Sequence, residues 1–329
     1  MPETVIKSSK EILKPVESEL QELNRRLVEE ISPKSRALCG ILQDIFAAGG
    51  KRLRPALSFL FAKALGAEVQ EPIYLIAEIS ELIHTASLVH DDIIDNSLIR
   101  RGKPSTNSKF DNAVTVISGD FMFARAAVNL GKLGVNEITA LYASVLEDLC
   151  DGEIRQVEKK FSTDVDWDYY YSKTYKKTAS LFEASCKAVA LVLDSSLQEA
   201  ASEYGKELGL AFQIIDDLLD YKSDTKTLGK PVCSDLREGQ ITAPILRCLE
   251  TANNLDREEL VGIINKLSTG EMEFDTRVLD LLEATSSIEH CKQMAKNHCQ
   301  KAIQAIARLE NNEAKSALIE LAQWVSDQV

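Results

Sequence analysis

Two acidic clusters of the same form stand far apart in this chain, Asp91-Asp92-Ile93-Ile94-Asp95 and Asp216-Asp217-Leu218-Leu219-Asp220. In each, the first and last carboxylates are four residues apart, so on a helix they share one face. Carboxylates held that close repel one another unless a cation lies between them. Such hard oxygen ligands suit Mg²⁺, which takes a few carboxylates and completes its shell with water and phosphate oxygens. One acidic helix end is commonly just a solvated charge cluster. Here each cluster closes an apolar, buried-looking helix, where unpaired carboxylates are costly, and packing alone gives no reason for two copies. Asp91, Asp92, Asp95, Asp216, Asp217 and Asp220 are therefore candidate metal ligands. Each cluster also tops a polar ridge: His84 and Ser87 precede Asp91 by seven and four residues, and Gln213 precedes Asp216 by three.

Phosphates held by metal need fixed cations too. Lys51 and Arg54 lie one helical turn apart beside Gly49-Gly50, Arg100-Arg101-Gly102 comes soon after the first cluster, and Lys177-Thr178 and Lys230 add further charge. Any one of these is ordinarily a solvated side chain. Together they supply what two diphosphates require: magnesium for one, and direct Arg and Lys contacts for both.

The elements that must position these groups read as helices. Ile73 to Asp95 carries apolar residues mostly three to five apart, and Gly205 to Tyr221 is apolar on most sides, as expected of a central buried helix. Val135 to Val157, Thr174 to Leu193 and Ile288 to Leu309 also read as helical, and no alternating series supports a sheet. Turn signals fall at Ala48-Gly49-Gly50, Arg101-Gly102-Lys103-Pro104, Leu228-Gly229-Lys230-Pro231 and Glu238-Gly239. No composition shift or low-complexity linker divides the chain. The expectation is one all-α domain over residues 1–329.

With 45% hydrophobic residues in 329, the chain can bury a large core. A net charge of −13 argues against a nucleic-acid partner, which calls for a basic face. Seven scattered cysteines with no CxxC pair argue against a disulfide framework and for a reducing compartment. The N-terminus has no signal-peptide pattern, and no uninterrupted apolar run is long enough to span a bilayer. The expected location is the cytoplasm, or an organelle stroma or matrix if a transit peptide has been removed.

The ordered set Gly50-Lys51-Arg52-Leu53-Arg54-Pro55, Ile83-His84-Thr85-Ala86-Ser87-Leu88-Val89-His90-Asp91-Asp92, Arg100-Arg101-Gly102, Gly119-Asp120, Lys177-Thr178 and Phe212-Gln213-Ile214-Ile215-Asp216-Asp217 resembles the trans-isoprenyl diphosphate synthases. The likeness runs from about residue 40 to about residue 310. It implies a helical bundle around a deep central cavity, usually a homodimer. The implied reaction is the head-to-tail condensation of an allylic diphosphate with isopentenyl diphosphate. By this resemblance Asp91, Asp95 and Asp216 would bind three Mg²⁺ ions that grip the allylic diphosphate. Arg100, Lys177, Thr178, Gln213 and Lys230 would assist, and Lys51, Arg54, His84 and Arg101 would hold isopentenyl diphosphate. No side chain is an obvious general base; in the family the departing diphosphate is the usual candidate.

Small residues at Ala86 and Ser87, below Asp91, resemble long-chain members that make quinone side chains; short-chain members place aromatic residues there. Ala126 and Ala127 could also keep the tunnel open, and Phe121 or Phe123 could close it. Gln240 replaces a Lys of many short-chain members, which fits the long-chain reading. The C-terminus lacks the family's basic ending. Release of a long product implies peripheral contact with a membrane. His290-Cys291 and His298-Cys299 are two turns apart and read as ordinary helix residues. His90 is open between a structural and a supporting role. The rivals are a farnesyl or geranylgeranyl diphosphate synthase, a regulatory subunit of a two-subunit synthase, and a terpene cyclase, whose second cluster would not be all Asp.

Overall fold

The helix that carries the first aspartate cluster runs Glu71–Ile94, and the second cluster ends helix Gln198–Lys222. In this computed structural model, residues 8–30, 35–47, 49–100, 103–222, 232–271 and 275–329 are described. Pro72 in the first turn favours the start of Glu71–Ile94, since its missing N–H is an orphan there anyway. The helix then presents Ile76, Ile79, Leu82, Ile83 and Ala86 to the core, all fully buried.

Around these two helices stand Leu53–Ala64, Asn112–Leu133, Asn136–Glu158, Ser180–Leu193 and Ser287–Ala305. Asp111 caps Asn112–Leu133 through a 2.8 Å bond from the Val114 N–H. Gly134, left-handed at φ 68°, ends it. One continuous hydrophobic cluster joins all of these helices. Among the described residues the only extended pairing is a two-residue antiparallel hairpin, Ile99–Arg100 against Lys103–Pro104.

The second aspartate helix approaches its neighbour very closely. A Cβ added at Gly209 would lie 2.6 Å from the Cα of Ala179. A glycine at this contact lets the backbones meet, and so fixes how far the second acidic end stands from the opposite wall.

The expected helix Thr174 to Leu193 is longer and interrupted. Trp167–Thr174 and Ser180–Leu193 are joined by a π-helical turn over Tyr175–Ala179. The extra residue in that turn rotates Ser180–Leu193 relative to Trp167–Thr174. It leaves Lys173, Thr174, Lys177 and Thr178 all facing one cleft.

Glu71–Ile94 and Asn112–Leu133 are long and apolar enough to cross a membrane by length and composition alone. The first is mostly buried and carries Glu78 and Glu81 into the core, where they pair with Arg26 and Arg52. Its apolarity serves packing.

Candidate active site

The C-terminal ends of the two aspartate helices open onto one cleft, which with its mouth encloses about 1300 Å³. Asp91, Asp95, Asp216, Arg100, Lys177, Thr178, Gln213, His84, Ser87 and Arg54 all line it. The sequence placed these residues in one site, and the fold brings them together.

Neighbouring carboxylates in each cluster face different ways, because adjacent helical positions differ by about 100°. Burial pushes the Asp91 carboxyl up to about 6; Lys177 and Arg100 pull it down, while Glu153 and Asp95 add to the rise. Asp95 Oδ1 is buried with no hydrogen-bond partner, and its ion-pair contact, Lys160 Nζ, is 3.9 Å away. An orphaned carboxylate oxygen beside a second carboxylate fits a divalent cation. Asp216 is exposed to the cleft. Among the described residues no three His, Cys, Asp or Glu side chains form a ready metal cage. Mg²⁺ would draw the rest of its shell from water and substrate phosphate.

Asp92, Asp217 and Asp220, also expected as metal ligands, are bonded to the protein. Asp92 is 2% exposed and accepts a bond from Arg100 Nε. Its backbone carbonyl accepts from Asn107 at 3.2 Å. Asp217 is 3% exposed and accepts from the Tyr170 hydroxyl at 2.8 Å, from Gln213 Nε2 at 2.9 Å and from the Ala243 N–H at 3.4 Å. Asp220 accepts from Ser234 Oγ at 2.7 Å and from the N–H groups of Ser234 and Asp235 at 3.1 and 3.0 Å. Each holds a neighbour in place: Asp92 sets Arg100, Asp217 sets Gln213, and Asp220 anchors the start of the short helix Ser234–Arg237.

The Thr178 hydroxyl donates to Gln213 Oε1 at 2.7 Å, extending the Asp217 network to the cleft wall. Lys177 pairs with Glu153. Arg54 lines the cleft with its guanidinium 4.4 Å over the Phe182 ring. Lys51 does not line the cleft: it is exposed, with Nζ 4.7 Å from the Trp324 ring centroid. Arg101 and Lys230 lie outside the described residues.

Sequence reasoning missed Asp235, Tyr170 and Lys173. Asp235 faces the cleft, and burial together with Asp220, Asp217 and Asp216 holds its carboxyl well above the usual range. Its signal was position alone, in the polar segment after the second cluster. Lys173 is buried beside Asp217; burial lowers its pKa and Asp217 opposes the fall.

The expected chain-length residues scatter. Ala86 is fully buried, and Ser87 lines the cleft with its hydroxyl on the His84 carbonyl at 3.0 Å. Phe123 instead packs edge-on against His90, with centroids 5.7 Å apart, and lines no part of the cleft. Ala127 is exposed on the outer face of its helix, so it borders no tunnel. His90 Nε2 donates to the Val116 carbonyl at 3.1 Å. His298 bonds Glu207 at 2.7 Å, and His290 stands against Trp167, so the two histidines serve packing as expected.

The polyprenyl synthetase family model matches residues 35–282. A prenyl transferase of Cyanophora paradoxa is 39% identical over 322 residues, covering 97% of this chain and 98% of that protein. Solanesyl-diphosphate synthase 2, chloroplastic, of Oryza sativa subsp. japonica is 36% identical over 331 residues, covering 98% of this chain and 80% of that one. The crystal structure of polyprenyl synthase from Caulobacter crescentus CB15, complexed with calcium and isoprenyl diphosphate, superposes with a TM-score of 0.90 at 30% identity. It covers 98% of this chain and 99% of that one.

Proposed function

This chain belongs to the polyprenyl synthetase family; it is a trans-polyprenyl diphosphate synthase of long-chain type, and we propose that Asp91, Asp95 and Asp216 hold Mg²⁺ against the diphosphate of its allylic substrate. The observation that carries these roles is the convergence of the three carboxylates with Arg100, Lys177, Thr178 and Gln213 on one cleft. Bound magnesium supplies neutralisation of charge on the leaving diphosphate.

The chain's own residues do the rest. Arg100, fixed from behind by Asp92, and Lys177 face the oxygens on which negative charge grows as the carbon–oxygen bond breaks. Such preorganised charges are worth more in the transition state than in the ground state. Thr178 and Gln213, locked to each other, border the same space. Arg54 and His84 stand on the adjoining wall and are assigned to isopentenyl diphosphate, whose double bond attacks the allylic cation. A proton then leaves the condensed product to the departing diphosphate, and the new allylic diphosphate re-enters the cycle.

A homodimer is proposed as well. Val116, Ile117 and Val128 on Asn112–Leu133 are 40–58% exposed, and Ile154 and Val157 on Asn136–Glu158 are 60% and 45% exposed. A second copy covering these side chains would remove apolar surface that a monomer leaves in water. A reducing compartment, the cytoplasm or an organelle stroma or matrix, is proposed from seven free cysteines, five of them buried. Peripheral contact with a membrane is proposed for release of the apolar product.

The test is a product ladder. Purified protein, Mg²⁺ and labelled isopentenyl diphosphate are incubated with allylic primers of increasing length, and the dephosphorylated products are separated. Elongation beyond six isoprene units supports the assignment. A stop at three or four units removes the long-chain reading, and no elongation removes the catalytic one.

A further inference from the structure

Lys173, Lys176 and Lys177 stand at the π turn between Trp167–Thr174 and Ser180–Leu193, and two of them have carboxylate partners. Lys176 Nζ lies 2.8 Å from Asp148 and 3.0 Å from Asp151, and Lys177 pairs with Glu153. Lys173 has no ion-pair or hydrogen-bond partner among the described residues; its Nζ stands 5.8 Å from the Tyr170 ring centroid. Yet Lys173 is only 7% exposed, and it lines the cleft together with Lys177.

A buried ammonium group without a partner is costly, and a leucine would fill the same space for less. The carboxylates around it are engaged elsewhere. Asp217 takes its bonds from Tyr170, Gln213 and the Ala243 N–H, and Glu153 is on Lys177. Asp235 keeps its carboxyl well above the ordinary range, which a close ammonium would prevent. Burial lowers the pKa of Lys173 and Lys177 adds to the fall, so the two ammonium groups repel one another across the cleft wall. An anion of more than one charge seated between them would relieve both. Asp216 and Thr178 line the same cleft, so that anion would also lie within reach of the proposed magnesium.

We propose that Lys173 is a further diphosphate ligand: its ammonium group donates to the oxygens of the allylic diphosphate beside Lys177, and holds them as they become inorganic diphosphate. This rests on the synthase reading above. Lys177 must share its charge between Glu153 and the substrate, whereas Lys173 gives up no internal partner when the substrate enters. A cation fixed in place and short of an anion is worth most as negative charge grows on the leaving group.

Binding of inorganic diphosphate in the presence of Mg²⁺, measured by calorimetry, tests this apart from turnover. Lys173→Met keeps an unbranched stem and removes the charge. It should raise both the Kd of inorganic diphosphate and the KM of the allylic diphosphate about tenfold or more, the scale of one hydrogen bond to a charged group. KM for isopentenyl diphosphate should stay within about twofold, and Lys173→Arg should restore most of the affinity. Tm of Lys173→Met should be unchanged or higher, because no internal partner loses a bond. A lysine that merely neutralised the cleft wall would give the opposite pattern, a lower Tm with diphosphate bound as in wild type, and that result overturns the proposal. If Lys173→Met fails to fold, Lys173→Gln decides by the same two readouts. Failure of both to fold would make Lys173 a structural cation and overturns the proposal as well. Wild-type protein that elongates no primer overturns the synthase reading instead, and the calorimetric comparison then still decides whether Lys173 holds diphosphate.

Discussion

The carboxylate of Asp92 grips Arg100 Nε from a helix face turned about 100° from that of Asp91, so one half of the Asp91-Asp92 pair faces the cleft and the other holds a cation that borders it. Two adjacent aspartates therefore have separable consequences. Asp92→Asn leaves the metal ligands in place and loosens Arg100. The expected result is about a tenfold rise in KM for the allylic diphosphate, about 1.4 kcal/mol, with the apparent Mg²⁺ requirement unchanged. Arg100 is about one third exposed, so the stability cost stays near 1–2 kcal/mol rather than the value for a fully buried pair. Steady-state kinetics with Mg²⁺ titration separates the roles: a changed Mg²⁺ requirement with unchanged KM would make Asp92 a ligand after all.

Asp91→Ala and Asp216→Ala act on charge that develops as diphosphate leaves. Each is expected to lower kcat by about 10²-fold or more, the scale of losing one preorganised electrostatic group. Neither should unfold the protein, because both side chains border the cleft rather than the hydrophobic core. Turnover near wild type in either variant, with Tm unchanged, would remove it from the metal site.

The contrast between the clusters shows where sequence reading stops. Spacing marked each cluster as a metal-binding candidate, since a four-residue interval survives any packing of the helix, and the family resemblance placed the two in one site. Which of Asp216 and Asp217 is left exposed in the cleft and which is buried in its wall depends on how the helix is rolled, and Gly209 against Ala179 together with Tyr170 decides that in three dimensions. The hydrophobic pattern gave Glu71–Ile94, Asn136–Glu158 and Ser287–Ala305 to within a few residues, missed the N-terminal turns of Gln198–Lys222, and set no bounds for Asn112–Leu133. The π turn at Tyr175–Ala179 breaks the 3.6-residue period, so the convergence of Lys173 and Thr174 with Lys177 and Thr178 was not readable. Asp235 sits in a short polar segment without periodicity, where only tertiary contact reveals it. The small residues at Ala126 and Ala127 carried no mark of inside or outside, and the fold puts one in and one out.

The hydrogen bond from Tyr170 to Asp217 spans 2.8 Å in full burial. Tyr170→Phe leaves one carboxylate oxygen short of a donor in low dielectric, at a cost of about 1–3 kcal/mol. Thermal unfolding should show a Tm lower by several degrees. Because Asp217 holds Gln213, KM for the allylic diphosphate should rise severalfold as well. A Tm drop with identical kinetics would confine Tyr170 to packing.

Burial raises the Asp91 carboxyl from an ordinary value of 3.8 to about 6. Between those two values the folded, metal-free protein binds more protons than the unfolded chain. Stability from this group is therefore present at low pH and is lost as pH rises toward 6. The loss is about 2 kcal/mol after allowance for solvent at the cleft mouth. Chemical denaturation of metal-free protein at pH 4.5 and pH 7 should show this difference between wild type and Asp91→Asn, whose side chain does not titrate. Added Mg²⁺ with inorganic diphosphate should cancel it by stabilising the ionised form. Parallel pH dependence in the two proteins would mean that Asp91 keeps an ordinary pKa.

His90 lies in a notch that only glycine provides. A Cβ at Gly119 would fall 2.1 Å from His90 Nε2, well inside contact distance. The neighbouring Val116 carbonyl takes the ring's hydrogen bond at 3.1 Å. Gly119→Ala must therefore displace the imidazole, and overpacking of this kind costs about 1–3 kcal/mol. The backbone at Gly119 is helical rather than left-handed, so alanine meets no conformational objection and the cost should come from the ring alone. Removing the ring tests that directly. His90→Ala loses a hydrogen bond and an edge contact with Phe123, and Gly119→Ala made in that background should cost nothing or slightly stabilise the helix. A double-mutant cycle by chemical denaturation should thus give a coupling of about 1–3 kcal/mol. Additive effects would mean that the imidazole already moves freely past Gly119, and that the helix end bearing Asp91 is not registered against Asn112–Leu133 by this contact.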